Sequence, residues 1–145
     1  RLETLKQVRK AGIKVCCGGI AGLGESLEDR LALLVELATM QPQPQSVPLN
    51  LLERMPGTRL EKASPVEALD LVRWIATARI MMPSSHIRLS AGRRMLSQEA
   101  QLLCLMAGAN SLFLGPKLLT VDNSEVSDDH LLMQKLGLVR ETTLE

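Results

Sequence analysis

The chain has 145 residues, a formal net charge of +1 at pH 7 and 46% hydrophobic residues. This length is about one domain, and the apolar content suffices for a packed core, which excludes an intrinsically disordered protein. A charge so close to zero gives no general field for holding nucleic acid or a membrane surface, and we expect neither partner. Three cysteines make no disulfide framework, so we expect a reducing compartment, either the cytoplasm or a mitochondrial matrix.

The predicted elements begin inside a helix. Apolar residues at helical spacing precede Gly12, which provides a C-terminal cap. Because the pattern is already helical at the first residue and no initiator Met precedes it, we expect a piece of a longer protein. A strand is predicted at 13–16, and it leads into a glycine-rich turn at 18–25, where the backbone can approach a ligand closely.

The rest of the chain repeats a strand-to-helix unit of about 30 to 35 residues, the size of a βαβ repeat. Serine caps, a Ser-Pro-Val-Glu capping box and terminal glycines or prolines mark the helices. The elements predicted after the turn are a helix capped by Ser26, a strand at 46–52, a helix from 64–67 to about Met82, a strand at 86–91, a helix from Ser97, a strand at 111–114, a loop at 120–127 and a helix at 128–136.

Four such units predict an α/β fold with about four parallel strands and flanking helices. The pattern is typical of the second half of a TIM-type (βα)8 barrel, strands about 5 to 8, because a complete barrel needs about 250 residues. We therefore interpret residues 1–145 as a half-barrel, in which 121–145 is a C-terminal loop and closing helix. A four-stranded doubly wound domain is the structural alternative.

Polar residues interrupt the apolar pattern of the predicted strands. In the first strand, Ile13 and Val15 share one face, which leaves Cys16 on the other. Asn50 and Arg88 oppose apolar neighbours in the same way. Because burial of polar groups in a barrel costs free energy, a polar lumen that holds a ligand explains this pattern.

Each of these three candidates also has a purely structural interpretation. Cys16 could be a buried core thiol, since cysteine behaves as a small apolar residue. Asn50 could tie two strands together. Arg88 could be a barrel arginine forked onto a carboxylate.

Several segments resemble, in order, the C-terminal half of the biotin synthase family, whose members are radical S-adenosylmethionine enzymes. The run Arg-Leu-Ser-Ala-Gly-Arg at 88–93 favours this family over another radical S-adenosylmethionine barrel acting on a small molecule. A third hypothesis is a standalone α/β interaction domain whose glycine loop binds an anion. The segments that carry the resemblance are 11–16, 18–20, 22–25, 46–50, 78–83, 88–93, 106–111 and 117–120.

The resemblance implies a barrel that holds a 2Fe-2S cluster, a 4Fe-4S cluster and S-adenosylmethionine. It implies that Cys16 and Arg88 are metal ligands of the 2Fe-2S cluster and that Asn50 binds the substrate, dethiobiotin. The residues implied to contact S-adenosylmethionine are Gly18, Ile20 and Glu53.

The resemblance also implies the activity of a sulfurtransferase, in which a radical derived from S-adenosylmethionine leads to sulfur insertion into dethiobiotin and forms biotin. The C-x-x-x-C-x-x-C motif of the 4Fe-4S cluster would lie upstream, as would the remaining thiolates of the second cluster. We therefore expect this fragment to be inactive without the missing N-terminal half of the same chain. A homodimer is expected for the full-length protein.

Overall fold

The computed structural model describes residues 2–115, 117–118, 121–122 and 126–139. Within these ranges, no helix is both long and apolar enough to cross a membrane. The elements are α1 (Leu2–Lys10), β1 (Gly19–Ala21), α2 (Leu27–Ala38), β2 (Ser46–Leu51), α3 (Ala68–Met81), β3 (His86–Leu89), a 3-10 turn (Arg93–Met95), α4 (Gln98–Met106), β4 (Ser111–Leu112), β5 (Lys117–Leu118), β6 (Val121–Asp122) and α5 (Val126–Lys135).

Four parallel strands form one sheet in the order β1-β2-β3-β4. Strands that are neighbours in the sheet are therefore consecutive in the chain, and connections of one hand bring the intervening helices to one face. This order is that of a barrel segment. A doubly wound sheet would instead reverse its strand order at one point and carry helices on both faces.

A single apolar core lies between the sheet and the helices. Val47, Leu49 and Leu51 of β2 are buried, as are Ile87 and Leu89 of β3. Because side chains alternate along a strand, these residues all project toward the helices. The buried helix residues of the same cluster are Leu34, Leu37, Leu71, Trp74, Ile75, Ala78 and Cys104.

The first strand differs from the prediction. The ladder strand is Gly19–Ala21, inside the segment predicted to be a turn, whereas only the end of 13–16 reaches the sheet, through a bridge at Cys16. Val15 is buried, but Ile13 is 61% exposed, so the two do not share a buried face. The physical reason lies at Gly19, where a Cβ would lie 2.4 Å from the Leu33 side chain; only a glycine strand lets α2 pack so closely.

Two helices also differ locally from the prediction. The helix predicted to start at 64–67 begins at Ala68, and Glu67 makes no capping hydrogen bond. Val66 packs against the core and holds this segment outside the helix. In α2 the helical spacing of the apolar residues predicts one buried face that includes Leu27, but the buried residues are Leu34 and Leu37, and Leu27 is 64% exposed.

The C-terminal segment 121–145 differs in part from the predicted loop and closing helix. Val121–Asp122 pairs antiparallel with Lys117–Leu118, and the helix spans Val126–Lys135 rather than 128–136. The predicted loop residues 120 and 123–125 lie outside the described residues, as do 140–145. The domain limits stay a prediction.

We predict that Ile75→Ala lowers the free energy of unfolding by about 2–5 kcal/mol, because Ile75 is fully buried against the sheet and its loss leaves a cavity. Ile80→Ala on the same helix is the matched control, since Ile80 is 81% exposed. Urea denaturation followed by the fluorescence of the single tryptophan, Trp74, measures both. Equal effects of the two variants would contradict the one-sided packing of α3.

Candidate functional site

The sheet has a second face, opposite the helices, that carries polar and half-exposed residues. We call it the open face. It comprises alternating residues of the four parallel strands and of the segment before β1: Cys16, Gly18, Ile20, Ser46, Pro48, Asn50, His86, Arg88 and Ser111.

The strand register brings the three leading candidates to this face. Cys16 forms a bridge with Ser46, and Ile20 pairs with Asn50, so the segment from Cys16 to Ile20 keeps one register along β2. Arg88 lies on β3, two residues beyond the row of Cys16 and Ser46. Cys16 and Arg88 are thus about 10 Å apart across two strands and about 7 Å along them at the backbone. Inward-pointing side chains of a barrel converge across such distances.

The three cysteines lie in different surroundings. Cys16 is exposed on the open face. The alternative interpretation of Cys16 as a buried core thiol is therefore wrong. Cys17 packs against the core, and its burial raises the pKa of its thiol, although the nearby Arg9 charge acts in the opposite direction. Burial raises the pKa of Cys104 to about 11. Because Cys16 is exposed on the open face and the other two thiols pack against the core, Cys16 is the candidate metal ligand among the three.

Asn50 joins β1 to the loop that follows β3. Its Nδ2 donates to the Gly19 carbonyl oxygen at 3.1 Å, and its Oδ1 accepts from the Ala91 N–H at 3.0 Å. The predicted structural role as a tie between strands is therefore confirmed. A primary amide has two N–H donors and two lone pairs, so one of each remains for a ligand on the open face.

Arg88 donates a hydrogen bond from its Nε to the Ser111 Oγ at 3.0 Å. Among the described residues no carboxylate forms an ion pair with Arg88, so the fork onto a carboxylate is not seen there. Its side chain is half-buried on the open face. A protonated guanidinium has no free lone pair, and direct ligation of a metal would require its deprotonation.

The residues predicted to contact S-adenosylmethionine lie along one side of the sheet. Ile20 is 47% exposed on the open face, near the carboxyl end of β1. Leu52 donates its N–H to the Ala21 carbonyl oxygen at 2.8 Å, which brings the half-buried Glu53 beside the same end. Carboxyl ends of parallel strands are where α/β barrels hold their ligands.

Glu25 organises the turn after β1. Its carboxylate accepts hydrogen bonds from the N–H groups of Gly22 and Leu23 and from the Arg30 Nε, at 2.7 to 3.1 Å. Burial acts to raise the pKa of Glu25, but these hydrogen bonds outweigh it and hold the pKa below its usual range. Two N–H donors of the glycine turn are therefore already occupied by the chain's own carboxylate, which disfavours the anion-binding hypothesis.

Two serines of the open face were not among the predicted site residues. Ser111 orients Arg88, and the buried Ser46 Oγ has no hydrogen-bond partner among the described residues, although it lies in the row of Cys16. The signal that could have found Ser46 is its alternation with Val47, the same signal that selected Asn50. The partner of Arg88 depends on a strand pairing that no local pattern reveals.

A cavity of about 130 Å³ lies at the carboxyl ends of β1 and β2. It is lined by residues such as Ala21 and Leu51, which face the helices rather than the open face. It is smaller than the usual small-molecule pocket, which begins at about 300 Å³. We assign no cofactor to it.

The fold and the open face define a class of protein: a segment of a parallel (βα) barrel whose inner surface collects a thiol, an amide and a guanidinium. The model of the Biotin and Thiamin Synthesis associated domain matches residues 48–139. The chain belongs to this family.

The chain is similar to known biotin synthases. It is 56% identical over 143 residues to that of Gloeobacter violaceus and 58% identical over 142 residues to that of Brucella anthropi. These alignments cover 99% and 98% of this chain but 45% and 42% of the relatives, so the chain spans less than half of their length. The predicted resemblance to the C-terminal half of this family is confirmed.

The fold is similar to that of the FeFe-hydrogenase maturase HydG from Carboxydothermus hydrogenoformans. The TM-score is 0.77 at 17% sequence identity, and the match covers 95% of this chain and 35% of that structure. At such low identity the likeness concerns the fold alone. It confirms the predicted α/β half-barrel and overturns the doubly wound alternative.

We predict that Gly18→Ala lowers the free energy of unfolding by about 3 kcal/mol or more, because its Cβ would lie 1.9 Å from the Pro48 carbonyl oxygen and would push β1 away from β2. Gly24→Ala is the control. Gly24 has a φ of +97° but no atom within 4 Å of its added Cβ, so only backbone strain of about 1–2 kcal/mol is expected. Urea denaturation of both variants makes the comparison.

We predict that Glu25→Gln lowers the free energy of unfolding by about 1–3 kcal/mol at pH 7, because the amide replaces a charged acceptor of three donors. Since the folded-state pKa is lowered, this contribution is present above the ordinary value of 4.5 and is lost as the pH falls through the folded-state value. Denaturation at pH 7 and at a series of lower pH values measures the difference.

Glu36→Gln on the exposed side of α2 is the control for this titration. It is expected to leave stability close to that of the parent chain at every pH, because Glu36 is exposed. A Glu25→Gln deficit that stays constant over the whole pH range would contradict the assigned role of the carboxylate.

Proposed function

We propose that this chain is the C-terminal half of a biotin synthase that inserts sulfur into dethiobiotin to form biotin. The observation that carries the proposal is the meeting of Cys16, Asn50 and Arg88 on one polar sheet face in a chain 56–58% identical to biotin synthases. This identity favours a biotin synthase over a radical S-adenosylmethionine enzyme with another substrate.

The open face fits part of the ligand set of an iron-sulfur cluster. Cys16 offers an exposed thiol, the chemistry by which proteins hold such clusters. The buried Ser46 Oγ beside it, which has no hydrogen-bond partner in the described part of the chain, and the Arg88 guanidinium would gain a partner from a sulfide-bearing group. The remaining thiolates would come from the N-terminal half.

The other residues of the open face have roles in binding. Asn50 would orient dethiobiotin through its free amide N–H and lone pair, while its two existing hydrogen bonds fix the amide plane. Ile20 would give an apolar contact to the adenine of S-adenosylmethionine, and Gly18 would contact the same molecule through its backbone. When bound, the 4Fe-4S cluster with S-adenosylmethionine would supply the radical and the 2Fe-2S cluster the sulfur.

The proposal is tested in a full-length protein, made by joining this chain to the matching N-terminal part of the Gloeobacter violaceus biotin synthase and reconstituting it with iron and sulfide without oxygen. We predict that it forms both cluster types and converts dethiobiotin to biotin. Cys16→Ala is expected to remove the visible absorption of the 2Fe-2S cluster and sulfur insertion while leaving the 4Fe-4S signal intact.

Cys17→Ala is the matched control, because the neighbouring thiol packs against the core and should be dispensable for both clusters. Persistence of the 2Fe-2S absorption in Cys16→Ala would remove Cys16 from the ligand set. Intact clusters without any biotin formation would overturn the assigned reaction.

A further inference from the structure

Arg93 is a charged residue buried beyond the end of β3. Its side chain is 1% exposed, and so is that of its partner, Asp129 on α5. The Arg93 Nη1 and Nη2 donate to the two carboxylate oxygens of Asp129, each at 2.6 Å. Two parallel charge-assisted hydrogen bonds fix both the distance and the plane of the pair.

The same guanidinium contacts two further elements. Its Nη1 donates to the Gln101 Oε1 at 3.2 Å, and its Nη2 donates to the Phe113 carbonyl oxygen at 3.4 Å. Arg93 therefore links the loop after β3 to α4, to the end of β4 and to α5.

The loop from Ser90 to Gly92 connects this cluster to the open face. Leu51 donates its N–H to the Ala91 carbonyl oxygen at 2.9 Å, and Ala91 donates its own N–H to the Asn50 Oδ1. Gly92 has a φ of +80°, and a Cβ there would lie 2.6 Å from Leu51. The loop therefore packs closely against β2. Because the loop is hydrogen-bonded to the Asn50 amide, a shift of the loop would also move the amide.

We propose that Arg93 and Asp129 are positioning residues for substrate binding: the C-terminal helix α5 holds the loop after β3 through this ion pair, and the loop sets the orientation of the Asn50 amide. This inference rests on the proposed function, in which Asn50 binds dethiobiotin. It assigns α5, which contributes no residue to the open face, a role in substrate affinity.

The choice of residues supports a positioning role beyond stability. A buried ion pair is weak evidence for stability, since an apolar pair of similar volume often stabilises a core as well or better. An apolar pair, however, does not fix the relative orientation of the two elements that it joins. The bidentate geometry fixes the loop in one orientation, and a small displacement of a binding group can change affinity by a large factor.

The test uses the full-length protein described above and the dissociation constant of dethiobiotin, measured by equilibrium binding to the reconstituted protein. Asp129→Asn keeps the size of the side chain but removes its charge. We expect about tenfold weaker binding of dethiobiotin and a smaller effect on S-adenosylmethionine, because the loop donates a hydrogen bond to Asn50 itself, whereas Ile20 is linked to the loop through its strand partner Asn50. Asp129→Glu restores the charge and should recover part of the affinity.

Leu37→Val, a core variant on α2, distinguishes a specific loss of affinity from a general loss of stability. It should lower the melting temperature without weakening dethiobiotin binding. Arg93→Lys provides a second variant should Asp129→Asn fail to fold; it keeps the positive charge but cannot form the fork, and the same loss of affinity is expected.

Unchanged dethiobiotin affinity in a folded Asp129→Asn or Arg93→Lys variant would overturn the positioning role. The assignment of Asn50 is judged separately by Asn50→Ala. If that variant binds dethiobiotin as tightly as the parent protein, the proposed substrate site is wrong, and the positioning role is overturned with it. If Asn50→Ala weakens binding and Asp129→Asn does not, only the positioning role is wrong.

Discussion

The register of four parallel strands is the constraint on which the rest of the structure depends. It directs Val47 and Leu49 into the core and Asn50 to the opposite face. A slip of one residue in β2 would place the Asn50 amide among the helices and Leu49 on the open face, at the expense of both the core and the site. Core packing and the arrangement of candidate ligands are thus consequences of the same pairing.

Much of the fold could be predicted because its signals are local. Ser26 and Ser97 cap their helices, each accepting a hydrogen bond from an N–H three residues later, as the serine pattern indicates. The strand at Gly19–Ala21 could not be predicted, since glycine-rich segments favour turns. Its reason is tertiary: α2 approaches β1 so closely that a side chain at Gly19 would collide with Leu33.

The candidate site shows the same division. Alternation along a strand is enough to assign Asn50 and Arg88 to the face away from the core. The strand predicted at 13–16 instead lies at Gly19–Ala21, and Cys16 joins the sheet through a single bridge. Which partners these side chains meet depends on residues far away in the chain. The pair between Arg93 and Asp129 joins positions 36 residues apart, and no sequence period connects them.

The two adjacent thiols have different surroundings because successive side chains of an extended backbone point to opposite faces. Cys16 and Cys17 differ by one peptide unit, yet Cys16 is exposed on the open face, whereas Cys17 packs against the core and burial raises the pKa of its thiol. An electrophile or oxidant that reaches the open face therefore meets the more exposed Cys16 sulfur first. Cys17 is half-buried and its raised pKa lowers its thiolate fraction, so we expect the two neighbouring thiols to react at different rates.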